Sequence, residues 1–177
     1  SDLSDRTLVA NFVPGKTNVT VLLSRPHDGS GTIMKSAWYP PDGLDGDQYV
    51  FDSFSFGTTQ TVTEVRWRGG YTNYKSGAGK APVYDFTVRI YASLLAGSEP
   101  DRTVPPAAQF TVGGNANETL VGTIGGTDMY DYRFVLPTAF RALPGTNYWL
   151  QIEASQGLTP TYYWPPDWGF VVGTGGD

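Results

Sequence analysis

The sequence predicts an all-β fold, specifically an antiparallel β-sandwich of about ten strands with jelly-roll connectivity. Aromatic residues make up 14% of the chain and charged residues only 16%, alongside 22 glycines and 13 prolines. That balance is typical of compact domains built from strands and turns. Segments of alternating polarity follow one another every roughly 8–14 residues, and no long stretch has the 3.6-residue period of a helix. The length is expected to give one domain over residues 1–177.

Three segments show the alternation of a half-buried strand most clearly. Thr61–Tyr71 (TVTEVRWRGGY) has the cleanest pattern and contains a Gly-Gly pair, where we expect a corner. Tyr84–Tyr91 and Tyr148–Glu153 repeat the alternation. The positions predicted to face the core are Thr61, Thr63, Val65, Trp67, Tyr84, Phe86, Val88, Ile90, Tyr148, Leu150 and Ile152. Farther along, Thr119–Ile124 and Met129–Leu136 are predicted to pair as a hairpin.

If these three strands share one sheet, their remaining positions form an outer face rich in guanidinium, amide, carboxylate and aromatic groups. Such groups suit sugars, because an indole stacks on the apolar face of a sugar while Arg, Gln and Glu bond its hydroxyls. The ligand-binding residues predicted on this face are Trp149, Arg66, Arg68, Arg89, Tyr91, Gln151 and Glu153. The alternative is that a loop or the N-terminal segment covers the face.

A second candidate for ligand binding is the aromatic segment Tyr162–Trp168. Its prolines, Pro165 and Pro166, stiffen it, which lowers the entropy lost when a ligand binds. The rings predicted to contact a ligand are Tyr163, Trp164 and Trp168. The alternative is that this segment closes the end of the sandwich.

The acidic glycine loop DGLDGD is the best candidate for a metal site. Asp42, Asp45 and Asp47 offer carboxylate oxygens, the ligands that Ca²⁺ prefers, and the intervening glycines let the backbone fold tightly. We therefore predict a structural Ca²⁺ ion there. The spacing is not that of an EF-hand, and a solvated acidic turn is the alternative interpretation.

Several function classes are disfavoured by composition. The net charge of −5 argues against nucleic acid and anionic membrane surfaces as partners. No apolar run approaches the length of a transmembrane segment. The chain has no cysteine and a single histidine, His27 in a turn, so thiolate metal sites are excluded and a catalytic triad would have to use that histidine.

Paired carboxylates leave glycosidase chemistry open, since that reaction needs two carboxyl groups about 5–9 Å apart. The candidates are Glu64, Glu153, Asp85 and Asp131. Each lies beside arginines or on an outward face, so structural ion pairs are the simpler interpretation. We predict that the protein is not an enzyme.

Blocks of sequence from Trp38 to Asp177 resemble a group of exported bacterial β-sandwich modules that are like carbohydrate-binding modules. The blocks are WYPPDG, YVFDSFSF, WRGGY, DFTVRIY, MYDYRF, NYWLQIEASQ, PDWG and GTGGD. The resemblance implies a β-sandwich that is secreted or displayed at the cell surface, and it supplies no catalytic residues. Related modules continue past GGD into one more strand, which implies that this chain is cut short there.

These observations together predict a non-catalytic module of a larger secreted bacterial protein that binds polysaccharide or glycan. The first alternative is a structural or adhesive spacer that packs against neighbouring domains and binds no glycan. The second is a glycosidase that uses two of the carboxylates named above.

Overall fold

The computed structural model describes residues 6–10, 20–38, 47–71, 83–94, 97–156 and 167–173. Within them the chain forms twelve strands and no helix. The strands are β1 Arg6–Ala10, β2 Thr20–Arg25, β3 Ile33–Lys35, β4 Ala37–Trp38, β5 Phe51–Phe54, β6 Gln60–Tyr71, β7 Val83–Ala92, β8 Ala108–Thr111, β9 Thr119–Ile124, β10 Thr127–Ala142, β11 Tyr148–Gln156 and β12 Trp168–Val171. In this part of the chain, no helix has the length and hydrophobicity that crossing a bilayer would require.

The strands form two sheets, which confirms the predicted all-β sandwich. The seven-stranded sheet has the order β2-β1-β6-β10-β9, with β12 paired to β6 and β3 paired to β12. The five-stranded sheet has the order β4-β11-β7-β8, with β5 also paired to β11. All of these pairings are antiparallel except that of β4 with β11. The hairpin of β9 and β10 is confirmed, while jelly-roll connectivity stays a prediction.

Strand β6 is the centre of the seven-stranded sheet, and a bulge shifts its alternation. Val62, Val65 and Trp67 are all buried, although the first two are three residues apart. Against β1, Val9 pairs with Glu64 and Ala10 with Val62, so β6 has one extra residue there, as a bulge requires. The register against β10 shifts at the same place, but there the longer stretch between the pairs, from Val135 to Phe140, belongs to β10. The prediction is therefore correct from Val65 onward and wrong at Thr61 and Thr63, which do not belong to the core.

The Gly-Gly pair of β6 does not form the corner that we expected. The strand runs straight through Gly69 and Gly70, which pair with β10 on one edge and with β12 on the other. A Cβ atom on Gly69 would lie 2.5 Å from the carbonyl oxygen of Gly169 and 2.6 Å from the Trp168 ring. The glycine is thus needed because β12 and its tryptophan approach the backbone closely.

A cluster of four rings fills one part of the core. Phe86 of the five-stranded sheet contacts Trp67, Tyr132 and Trp168, with centroid distances of 5.2, 5.1 and 4.9 Å. The Trp168 indole donates a hydrogen bond to the Tyr132 hydroxyl, 2.9 Å away. Trp168 is 0% exposed, so its prediction as a ligand-binding ring is wrong: the residue begins β12 and packs between the sheets.

The prediction that Tyr84 faces the core is wrong, because β7 contains a second bulge. The register between β7 and β11 shifts between Ser155 and Gln156, where Gln156 pairs with Val83. Val83 takes the buried position, and Tyr84 is left 54% exposed. Phe86, two residues later, follows the predicted alternation into the core.

Candidate functional site

The three strands that were predicted to share one sheet lie in two. Strand β6 belongs to the seven-stranded sheet, whereas β7 and β11 are neighbours in the five-stranded sheet. Arg66 and Arg68 therefore lie on the outer side of the opposite sheet from Trp149. The prediction of one shared face is wrong, because alternation fixes which side of its own strand a residue occupies but not which sheet the strand joins.

On the seven-stranded sheet, the outward arginines are held by carboxylates. Glu64 accepts hydrogen bonds from Arg66 Nε at 2.5 Å and Arg133 Nη2 at 2.6 Å. Burial raises the pKa of Glu64, but the bonds from the two guanidinium groups outweigh it and the net shift is downward. Arg68 binds Asp131 through two hydrogen bonds, at 2.7 and 3.1 Å. These side chains form two separate groups of ion pairs, Arg66–Glu64–Arg133 and Arg68–Asp131.

On the five-stranded sheet, the register brings the other predicted residues together. Directly paired residues of adjacent strands point to the same side of a sheet. One row across the sheet consists of Phe51, Gln151, Arg89 and Gln109. The rows on either side consist of Ser53, Trp149 and Tyr91, and of Glu153, Thr87 and Thr111. We call this surface, with these three rows, the five-strand face.

Trp149 lies on the five-strand face, as its alternation predicts, but it is only 7% exposed. Its indole nitrogen donates a 2.7 Å hydrogen bond to the Ser93 hydroxyl, which follows directly after β7. A buried ring with its polar atom already bonded offers no open surface for a sugar to stack on. The expectation that the Trp149 ring is open for a sugar to stack on is therefore wrong.

The polar residues of the face form one hydrogen-bonded network. Arg89 donates through Nη1 to Glu153 and through Nε to the Gln109 side-chain oxygen, the latter at 3.0 Å. Gln151 also donates to Glu153, at 3.3 Å. The network fixes the side chains in place, and only Gln109 among them is well exposed.

Beside this network lies a group of three partly exposed rings, Tyr49, Phe51 and Tyr91, which we call the ring cluster. Phe51 and Tyr91 meet edge to face with centroids 5.9 Å apart. Burial raises the pKa of Tyr49, with the charges of Glu153 and Asp47 adding to the shift. These three rings are partly exposed, unlike the buried Trp149, Gln151 and Glu153.

An arginine from a connecting segment completes the cluster. The guanidinium carbon of Arg102 lies 5.9 Å from the Tyr49 ring centroid and 5.8 Å from that of Phe51, within the range of a cation–π contact. The segment between β7 and β8 folds back on the end of β7, where Asp101 N donates to the Ala92 carbonyl at 2.8 Å. That contact places Arg102 over the rings.

A model of a domain family of unknown function, DUF7901, matches residues 24–170. The chain belongs to this family. The matched span contains β5, β7 and β11, and therefore the whole ring cluster. No curated protein and no solved structure matches the chain. The family brings neither a ligand nor a cellular location with it, and the exported, carbohydrate-binding-like grouping stays a prediction.

Four of the predicted site residues, Tyr163, Trp164, Asp42 and Asp45, lie outside the described residues. The third predicted calcium ligand, Asp47, accepts a hydrogen bond from the Tyr49 hydroxyl at 3.4 Å. Within the described ranges, no three His, Asp or Glu side chains are grouped closely enough to hold a metal ion. The Ca²⁺ site stays a prediction, and its one described member is next to the ring cluster.

Sequence reasoning missed Tyr49, Phe51 and Arg102 as site residues. For the first two a signal was present, because a two-residue spacing is typical of residues on one side of a strand, although Tyr49 precedes β5, which begins at Phe51. The identity of the neighbouring strand was lacking. For Arg102 the sequence carries no comparable signal. It lies in an irregular proline-containing connection, to which no periodicity applies.

Proposed function

We propose that this domain is a non-catalytic carbohydrate-binding module and that its glycan binds at the ring cluster of the five-strand face. We further propose, as the resemblance implies, that it works outside the cell as part of a larger secreted protein. The observation that carries the proposal is the juxtaposition of partly exposed rings with a fixed row of amide and guanidinium groups.

The chemistry of the cluster supports sugar binding in two ways. The Tyr91 ring offers an apolar surface to the C–H groups of a sugar, and ring contacts of this kind lose little side-chain entropy on binding. Gln109, exposed at the edge strand β8, offers amide groups to hydroxyls close to the same surface. Because Arg89, Gln151 and Glu153 already hold one another, the site is largely ordered before a ligand arrives.

The state of the carboxylates supports a non-catalytic role. Glu64 and Asp131 are bound by arginines on the seven-stranded sheet, and Glu153 is bound by Arg89 on the other. Asp85 accepts hydrogen bonds from the backbone nitrogens of Phe86, Gly113 and Gly114. A glycosidase needs two carboxyl groups that can act on the substrate, whereas each of these four carboxylates is already engaged by an arginine or by backbone N–H groups.

A spacer role is the second candidate, and one observation favours it. Leu120, Val121 and Val135 are exposed on the neighbouring strands β9 and β10 of the seven-stranded sheet, with 58%, 38% and 56% of their surfaces accessible. Exposed aliphatic residues on adjacent strands suit contact with another domain. A spacer would gain stability when its flanking domains are restored and would bind no glycan.

Affinity electrophoresis against a panel of plant and microbial polysaccharides tests the proposal. We expect the wild-type domain to be retarded by at least one polymer and Tyr91→Ala to lose that retardation. Tyr84→Ala is the matched control, because it removes an exposed tyrosine at the opposite end of the same strand, about 23 Å away at 3.3 Å per residue. Equal retardation of both variants, or no retardation of the wild type by any polymer, would overturn the proposal.

A further inference from the structure

Arg102 differs from most arginines of this domain in having no carboxylate partner. Among the arginines whose side chains the structure describes, five form ion pairs with carboxylates. These pairs are Arg25–Asp52, Arg66–Glu64, Arg68–Asp131, Arg89–Glu153 and Arg133–Glu64. Within the same set, Arg102 and Arg141 form none, and Arg102 lies against the rings of Tyr49 and Phe51 instead.

The nearest carboxylate along the chain does not compensate Arg102. Asp101 accepts two hydrogen bonds from Thr103 through its Oδ1 atom, from the backbone nitrogen at 3.0 Å and from the hydroxyl at 2.6 Å. Its carboxylate is therefore used to hold the turn in which Arg102 lies. The guanidinium is exposed and keeps its N–H donors available to a ligand.

The rings under Arg102 hold it in a useful orientation. A guanidinium group that lies against aromatic rings loses much of its freedom, and its N–H donors remain accessible at the edge of the group. That planar fork matches the two oxygens of a carboxylate, which it can bind through two parallel hydrogen bonds. Because the arginine is already positioned, binding costs less entropy than it would with a free surface side chain.

The position of Arg102 relative to Tyr91 fits one sugar-sized ligand. Phe51 contacts both Tyr91 and Arg102, with its ring centroid 5.9 Å from that of Tyr91 and 5.8 Å from the Arg102 guanidinium carbon. Arg102 covers Tyr49 and Phe51, so Tyr91 is the ring of the cluster left for stacking. A sugar unit stacked on Tyr91 would bring a carboxyl group on it, or on the adjoining unit, to Arg102.

We propose that the glycan bound at the ring cluster contains uronic acid units and that Arg102 binds their carboxylate. This inference rests on the proposed function and adds the class of ligand to it. The acidic character of the whole protein does not prevent such binding, since charges farther away than about 8 Å are screened at physiological salt. The Arg102 guanidinium next to the ligand, rather than the net charge of the protein, then decides which glycan is preferred.

The test measures binding of the wild-type domain, by isothermal titration calorimetry in 0.15 M salt, to uronate polymers such as polygalacturonate and alginate. The matched neutral ligand is the same polymer after its carboxyl groups have been reduced to alcohols. We expect the reduced polymer to bind at least about tenfold more weakly, the loss that removing one charge-assisted bidentate contact produces.

Three variants test whether Arg102 causes the difference in affinity between the uronate polymer and its reduced form. Arg102→Ala should weaken uronate binding by about tenfold and leave binding of the reduced polymer unchanged. Arg102→Lys keeps the charge but not the planar fork, so it should restore only part of the affinity. Arg141→Ala, at another exposed arginine without a carboxylate partner, should behave as the wild type. Melting temperatures equal to that of the wild type confirm that each variant is folded.

The outcomes separate failure of this inference from failure of the proposed function. Equal affinity for a uronate polymer and its reduced form would overturn the inference and leave the module a glycan binder. Tighter binding to a sulfated polymer such as dextran sulfate would overturn the choice of carboxylate. Binding to a neutral glycan of the panel but to no uronate polymer would overturn the inference alone, whereas binding to no polymer of the whole panel would remove the proposed function as well.

Discussion

At the scale of single residues, Phe86 connects the two sheets. It is fully buried, and its ring touches three other aromatic rings, all contributed by the opposite sheet. Neighbouring core residues cannot collapse easily into the space that so large a side chain fills.

Phe86→Ala should lower the free energy of unfolding by about 3–5 kcal/mol, through lost burial and the cavity left behind. Urea denaturation followed by tryptophan fluorescence measures the change. Tyr84→Ala, two residues earlier and exposed, should change it by less than about 0.5 kcal/mol. Similar values for the two variants would contradict the assignment of the bulge at this end of β7.

A second residue-scale feature is a carboxylate held by two buried phenols. Glu118 accepts hydrogen bonds from the hydroxyls of Tyr71 at 2.5 Å and Tyr132 at 2.8 Å. Burial raises the pKa of both tyrosines well above the usual value, and the nearby Glu118 carboxylate raises them further.

This cluster predicts alkaline destabilisation with a definite sign. A tyrosine whose pKa is raised by folding keeps its proton in the native state after the unfolded chain has lost it, above about pH 10. The free energy of unfolding should therefore fall as pH rises above that value. Guanidinium chloride titrations at several pH values between about pH 8 and 11 measure how steeply the free energy of unfolding falls with pH. Tyr71→Phe should make this fall less steep, and Tyr84→Phe should leave it unchanged. A free energy of unfolding that stays constant or rises over this range would contradict the account.

At the scale of elements, β6 organises the seven-stranded sheet because three strands pair with it. β1 and β12 share one edge, and β10 follows the other for most of its length. The last part of β6 accepts β12 only because glycines remove the side chains that would separate the two backbones.

Gly69→Ala should therefore destabilise the domain by about 1–3 kcal/mol, the usual effect of overpacking. The added methyl group would meet backbone and the Trp168 ring, neither of which can move away easily. Thermal denaturation measures the effect. Gly57→Ala is the control, since a Cβ atom there would meet nothing within 4 Å. A Gly69→Ala protein as stable as the wild type would contradict the close packing of β12 on β6.

The same elements indicate what the sequence could predict. Alternation placed Val65, Trp67 and Phe86 correctly, because burying one side of a strand is a local property of the pattern. It failed at Thr63 and Tyr84, where one extra residue reversed the sides and no local residue type marked the bulge. The candidate site was predicted only in part, because the outward arginines of β6 and the residues of β11 share a pattern but not a sheet. Which sheet a strand joins depends on contacts between residues distant in sequence.

At the scale of the whole molecule, the predicted metal site and the ring cluster are joined through Asp47. We propose a structural Ca²⁺ ion held by Asp42, Asp45 and Asp47, the last of which is hydrogen-bonded to Tyr49. An ion that binds only the folded state stabilises it by mass action.

Removal of calcium by a chelator should therefore lower the melting temperature, and added Ca²⁺ should restore it. Asp47→Asn should make the melting temperature less sensitive to the chelator, because one charged ligand is lost. Differential scanning calorimetry measures both. A wild-type melting temperature that the chelator leaves unchanged would exclude the calcium proposal without affecting the ring cluster.

The proposed function of the domain requires that a glycan binds at one surface, the five-strand face. Titration of ¹⁵N-labelled protein with an oligosaccharide from the best-bound polymer, followed by amide chemical shifts, tests this most directly. We predict that the perturbed amides cluster on β5, β7, β11 and the segment around Arg102. Perturbations confined to β6, β9 and β10 of the opposite sheet, or none with any glycan of the panel, would contradict it.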